Sequence, residues 1–273
     1  MKAGTVTISN PRQSARRVWA LAQAEGVLLW RNRLALLTAL SLPLTLPYLL
    51  KVAPDATGAG RSHGTGAILL PGLMAFALLF AVYYNLVATL VARREQLVLK
   101  RLRAGESTDA EILAGAAVPA IAIAWAQIAV AAVAAVATSG MAPPANAVLV
   151  LVALACGTAV FVLLAMLTAA VTRTVEMAQI TTLPVLVISF ASSGLLFPLA
   201  LLREPLRSAA QALPLTSAVD LMRLGLTGTA ADGHSLGLVA TLGAAASPVL
   251  VLAAWIVVGV WAARRWFRWE PRR

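Results

Sequence analysis

Apolar residues gather into six long runs, and polar residues into the short stretches between them. The runs cover about residues 34–50, 67–92, 112–138, 147–171, 179–196 and 238–263. A bilayer core about 30 Å thick takes roughly 20 helical residues to cross, so each run predicts a transmembrane helix. The first run is short and carries Pro43 and Pro47, which predict a kink. Pro71 falls in the first turn or two of the second span, where a missing N–H costs least. Tyr83, Tyr84 and Asn85 fall at mid-depth, where polar groups usually face other helices.

The stretches between the runs differ in kind. Residues 13–33 form a broad apolar face from Val18, Leu21, Ala22, Leu28 and Leu29, with Arg16, Gln23 and Arg31 opposite. Trp19 and Trp30 sit at its margin, which predicts an amphipathic helix in the membrane interface. No short apolar core follows the start, so no cleavable signal peptide is expected. Pro143 and Pro144 mark a tight uncharged turn over 139–146, and Thr172–Met177 is expected to be a short loop. The stretch 192–237 is too apolar for a plain loop. Pro198, Pro205 and Pro214 interrupt it too often for one span. Two short helices that enter the membrane edge and turn back would fit, provided protein covers their backbone. The expected organisation is an all-α membrane protein. Residues 1–33 form a cytosolic tail and interfacial helix, 34–263 the six-helix membrane domain, and 264–273 a basic cytosolic tail.

Composition agrees. Of the 273 residues, 60% are hydrophobic and only 12% charged, with a mean hydropathy of +0.84. A soluble domain keeps about a quarter of its residues charged, so this chain is solvated by lipid. The net charge of +11 would suggest nucleic acid on a folded polar face. No polar domain carries it, and no nucleic-acid partner is expected. Most of the Lys and Arg lie before residue 34, in the stretch 93–103, at Arg173, and in the tail from Arg264 to Arg273. Positive charge stays on the cytoplasmic side, so both termini are expected there, in a bacterial plasma membrane. Six spans agree with that.

The one long charged island is Arg93 to Glu111, reading RREQLVLKRLRAGESTDAE. Continued as a helix, it puts Val91, Val98, Leu99 and Leu102 on one apolar arc, with Arg93, Gln96, Lys100 and Arg103 opposite. Glu95 falls within the apolar arc. A carboxylate there needs a partner, either a basic residue of the N-terminal helix or a group on another protein. Gly105 suits a left-handed helix stop, and Thr108-Asp-Ala-Glu111 is a capping box that opens the third span. A short stiff helix strapped between two spans can transmit force. A solvated loop with an interfacial helix is the plainer reading.

Candidate chemistry is sparse. No phosphate-binding glycine loop precedes Lys2, Lys51 or Lys100, and no HExxH or GxSxG occurs. His63 and His234 stand in loops, and Cys156 is a lone thiol in an apolar run. A membrane enzyme acting on lipid or prenyl substrates would have only Asp220 and Glu204 as candidate carboxylates. No catalytic, metal or cofactor residue is expected, and any fuel is burned by another chain.

Three stretches resemble the type-2 ABC transporter permeases, the membrane subunits of bacterial drug, antibiotic and lipid exporters. ARREQLVLKRLRAGESTDAEILAG is similar to the family's cytosolic signature after the second span. SSGLLFPLALLREPLRSAAQALPLTSAVDLMRLGLTG is similar to its segment between spans five and six. The amphipathic helix over 13–33 matches its interfacial connecting helix. The resemblance implies a coupling helix over 93–105 that docks on an ATP-binding subunit, through Arg94, Glu95, Gln96, Leu97, Lys100, Arg101 and Gly105. It implies re-entrant helices marked by Pro198, Pro205, Pro214, Arg223 and Gly228. It also implies a pair of permease copies with two ATPase subunits, and ATP and Mg on those subunits. The sequence departs from the family pattern where Arg93 precedes Arg94-Glu95 and Gln96-Leu97 follows. The span faces are rich in Ala, Leu and Val, which suits an amphipathic or hydrophobic cargo better than a small ion. A non-transporting immunity or sensor protein of the same fold is the other reading.

Overall fold

The computed structural model describes residues 65–96, 109–139, 141–195, 199, 202–229 and 238–266. The interfacial helix expected over 13–33, the first span, Pro198, residues 97–108 of the island and the tail after Trp266 lie outside the described residues. The described elements are all helical. Helix α1 (Thr65–Phe76), a π-helical segment (Ala77–Tyr84) and α2 (Asn85–Glu95) follow one another without a break. Then come α3 (Asp109–Ser139), α4 (Ala147–Val171), α5 (Val175–Ser192), α6 (Leu206–Gln211), α7 (Pro214–Thr227) and α8 (Leu238–Trp266). Among the described residues, five helical stretches are long and apolar enough to cross a membrane: 69–95, 111–137, 147–171, 175–192 and 240–266. They coincide with the expected second to sixth spans.

Local chemistry sets the boundaries. The Asn146 side-chain oxygen accepts the N–H groups of Val148 and Leu149 at 3.1 and 3.2 Å, which starts α4 at Ala147. Thr174 does the same for α5, accepting the Met177 N–H at 3.3 Å. The fifth span therefore starts at Val175, four residues before the expected Gln179, and the loop shrinks to Thr172–Thr174. Pro214 opens α7, where its missing N–H would have been unpaired anyway. Gly228 closes the helix at φ +62°, the left-handed stop that a side chain disfavours.

The rod formed by α1, the π-helical segment and α2 is the most enclosed of the spans. Leu78, Leu79, Val82, Tyr83 and Leu86 are all buried within it. Helix α7 has 14 residues, too few to span a bilayer. It is buried over most of its length and packs against α1, α4, α5 and α8. Two contacts show that it runs antiparallel to α4. Gly225 lies against Asn146 and Val150 near the start of α4, while Gly157, further along α4, lies against Ala218 and Leu78. Backbone pairing holds the same crossing, with the Asn146 N–H donating to the Gly225 carbonyl at 2.8 Å and the Ala145 N–H to the Leu226 carbonyl at 3.2 Å. The other end of the short-helix pair is tied in as well: Trp255 Nε1 of α8 donates to the Ala212 carbonyl at 2.9 Å. Leu183, Val187 and Ile188 of α5, and Val257, Val258 and Trp261 of α8, remain exposed. Large apolar groups on the outside of a helical bundle are what a lipid environment calls for.

Candidate functional site

The site grows from the last turn of α2. Leu86, Val87, Leu90 and Val91 bury one side of that helix. Arg94 continues the same side and is only 2% exposed. The expected arc, drawn through Val98, Leu99 and Leu102, placed Glu95 inward instead. The upstream apolar residues set the buried side, so Arg94 points in and Glu95 stands exposed.

A buried guanidinium needs its donors satisfied. Arg94 Nη1 donates to the Ala169 carbonyl at 2.8 Å, and Nη2 donates to the Thr172 carbonyl. Both acceptors belong to the C-terminal end of α4, where helix carbonyls lack intrahelical partners and carry partial negative charge. Glu95 Oε1 accepts the Val175 N–H at 3.2 Å. Val175 is the first residue of α5, where the N–H groups are unpaired and the end of the helix is partially positive. Two adjacent side chains of opposite charge thus hold the two opposite poles that meet in one turn. Among the described residues, the Glu95 contact is to backbone.

The turn is knitted from within. The Thr172 hydroxyl donates to the Thr168 carbonyl at 2.7 Å and lies 2.8 Å from the Thr181 hydroxyl. One helical turn deeper, the Tyr83 hydroxyl lies 3.0 Å from Thr168 Oγ1, and its ring meets Phe161 edge-on at 6.3 Å. Tyr83 belongs to the π-helical segment, as does Phe80, which stacks on Phe76 at 4.2 Å. Wide helical turns of this kind are rare and frequent at functional sites.

Of the other residues expected at the coupling site, Gln96 is exposed, while Leu97, Lys100, Arg101 and Gly105 lie outside the described residues. In the second stretch, Pro205 precedes α6 and is exposed, Pro214 is buried, Arg223 is half-buried, and Gly228 is buried at the stop of α7. These residues occupy the two short helices and are not brought to the α2 end. The Thr216 hydroxyl donates to the Ser192 carbonyl at 2.9 Å, joining α7 to the far end of α5. Glu204 accepts the Ser208 hydroxyl at 2.5 Å in an exposed turn, apart from Asp220 on α7. Among the described residues no three His, Cys, Asp or Glu side chains gather into a metal site.

Sequence reasoning missed the inward Arg94 and the cap at Thr174. The second had a signal: a Thr just before Val-Glu at the head of an apolar run is a helix start.

The site, the five spans and the short-helix pair can be set beside known proteins. Comparison with curated proteins gave no match. Residues 16–227 match the family model described as ABC-2 type transporter. That match takes in most of the chain, the charged island and both short helices, so the protein belongs to the ABC-2 type transporter family as a multi-pass membrane permease.

Proposed function

We propose that this chain is the permease subunit of an ATP-driven exporter in a bacterial plasma membrane, with both termini cytoplasmic. Two copies pair around the substrate path. Each takes an ATP-binding subunit, which holds the ATP and Mg. The chain itself does no covalent chemistry. ATP binding draws the two ATPase subunits together, and the permease copies rock between inward- and outward-facing states. The docking element is the island that continues from α2 as a coupling helix, through Gln96, Leu97, Lys100, Arg101 and Gly105. The short helices marked by Pro198, Pro205, Pro214, Arg223 and Gly228 form a re-entrant unit toward the outer side. Amphipathic or hydrophobic molecules are the cargo, drug-, antibiotic- or lipid-like.

The observation that carries this reading is the tie between the island's root and the turn holding Arg173, both at one end of the bundle. The two are the basic segments that charge asymmetry assigns to the cytoplasm. An ATPase docked at that end would push on a fixed part of the bundle. Reconstitution tests it. The permease, purified with the ATP-binding subunit that accompanies it, should move a lipophilic cargo across a vesicle membrane only when ATP is supplied. A complex that assembles and hydrolyses ATP yet moves no cargo from a panel of drugs and lipids points to the non-transporting reading.

A further inference from the structure

Arg94 and Glu95 sit where the membrane-embedded rod ends and the charged island begins. Both reach the turn between α4 and α5, one binding each pole. We propose that they are a positioning pair that fastens the island's root to this turn, so that a displacement of the island is delivered to α5. The displacement itself rests on the function proposed above; the fastening does not.

The chemistry of the pair is directional. A cation belongs at the C-terminal end of a helix and an anion at the N-terminal end. Here α4 ends and α5 begins within three residues, Thr172 to Thr174. An Arg followed directly by a Glu meets those poles in the order the turn presents them. Arginine suits the first position because its planar fork reaches two carbonyls at once, which a lysine ammonium cannot do in fixed geometry. Glutamate at the second position supplies the acceptor for the Val175 N–H.

What is fastened is also stiff. Thr172 bonds back to Thr168 and lies against Thr181, and Thr174 caps α5, so the turn cannot yield without breaking side-chain bonds. From there α5 runs 18 residues, about 27 Å at 1.5 Å per residue, to Ser192. The Ser192 carbonyl takes the Thr216 hydroxyl of α7. Helix α5 and the bonds at its two ends therefore link the island's root to the buried short helix α7.

Two measurements test this. In the permease alone, in lipid nanodiscs, hydrogen exchange at the Val175 amide reads the fastening directly. Glu95→Ala removes the acceptor from an exposed position and should raise the exchange rate at least tenfold, while Glu95→Gln, which keeps an acceptor oxygen, should raise it less. Equal exchange in the parent and Glu95→Ala overturns the fastening. In the complex with the ATPase, export is measured per assembled complex, which removes any loss due to folding alone. Glu95→Ala and Arg94→Lys should raise the ATP consumed per molecule exported more than tenfold. An unchanged ratio in both overturns the delivery of motion to α5. If the parent chain shows no ATP-driven export at all, the proposed function fails, and the exchange measurement still decides the fastening.

Discussion

Gly225 shows at the scale of one residue how closely the short helix is seated. A Cβ built there would stand 2.7 Å from Val150 Cγ2 and 2.8 Å from the Val150 nitrogen. The second neighbour is backbone and cannot rotate aside. Gly243 of α8 has nothing within 4 Å of the same position. Alanine favours a helix over glycine by about 1 kcal/mol, so the two substitutions share one intrinsic gain. At Gly225 overpacking costs about 1–3 kcal/mol and outweighs it. Gly225→Ala should lower the thermal unfolding midpoint in detergent, and Gly243→Ala should leave it unchanged or raise it. Equal shifts would contradict the close crossing of α7 and α4. Arg94 shows what a sequence does not reveal at this scale. Its neighbours Arg93 and Glu95 are also charged, and only the upstream Leu86, Val87, Leu90 and Val91 identify which of the three turns inward.

Among the elements, the membrane spans were the most legible. The fourth, 147–171, coincides with its apolar run because Asn146 caps one end and Thr172 leaves the helix at the other. The helix predicted to open after Thr108 begins its described part at Asp109. The apolar run alone puts the start of α5 too late, because the Thr174 cap and the first turn after it read as loop. The π-helical segment left no trace in the pattern, since Ala77–Tyr84 is predominantly apolar and holds no proline or glycine. Its effect is mechanical. It sets the rotation of α2, and so the direction of Arg94, relative to α1. Inserting one alanine after Ala81 should turn α2 by about 100° against α1. The variant should lose protection at the Val175 amide and unfold at lower temperature. Retention of both would show that the wide turns do not set the register of the Arg94 contact.

For the whole molecule, hydropathy and charge were enough to predict a helical membrane protein, and residues 16–227 then join it to the ABC-2 type transporters. The interior arrangement was not legible. That α7 is enclosed by α1, α4, α5 and α8 follows from small residues at crossings, Gly157, Ala218 and Gly225, whose partners are far apart in the chain. Periodicity along one helix carries no information about which neighbour it meets. The proposed drive also belongs to this scale, because it needs two ends of one molecule to behave differently. Photo-crosslinking from single sites compares them. A photoreactive residue at Lys100 or Arg101, in the island, should capture an ATP-binding subunit in intact membranes. The same residue at Pro144, in the turn before α4, should not. Capture from Pro144, or none from either island site, would contradict the claim that this permease is driven through the island at the end of α2.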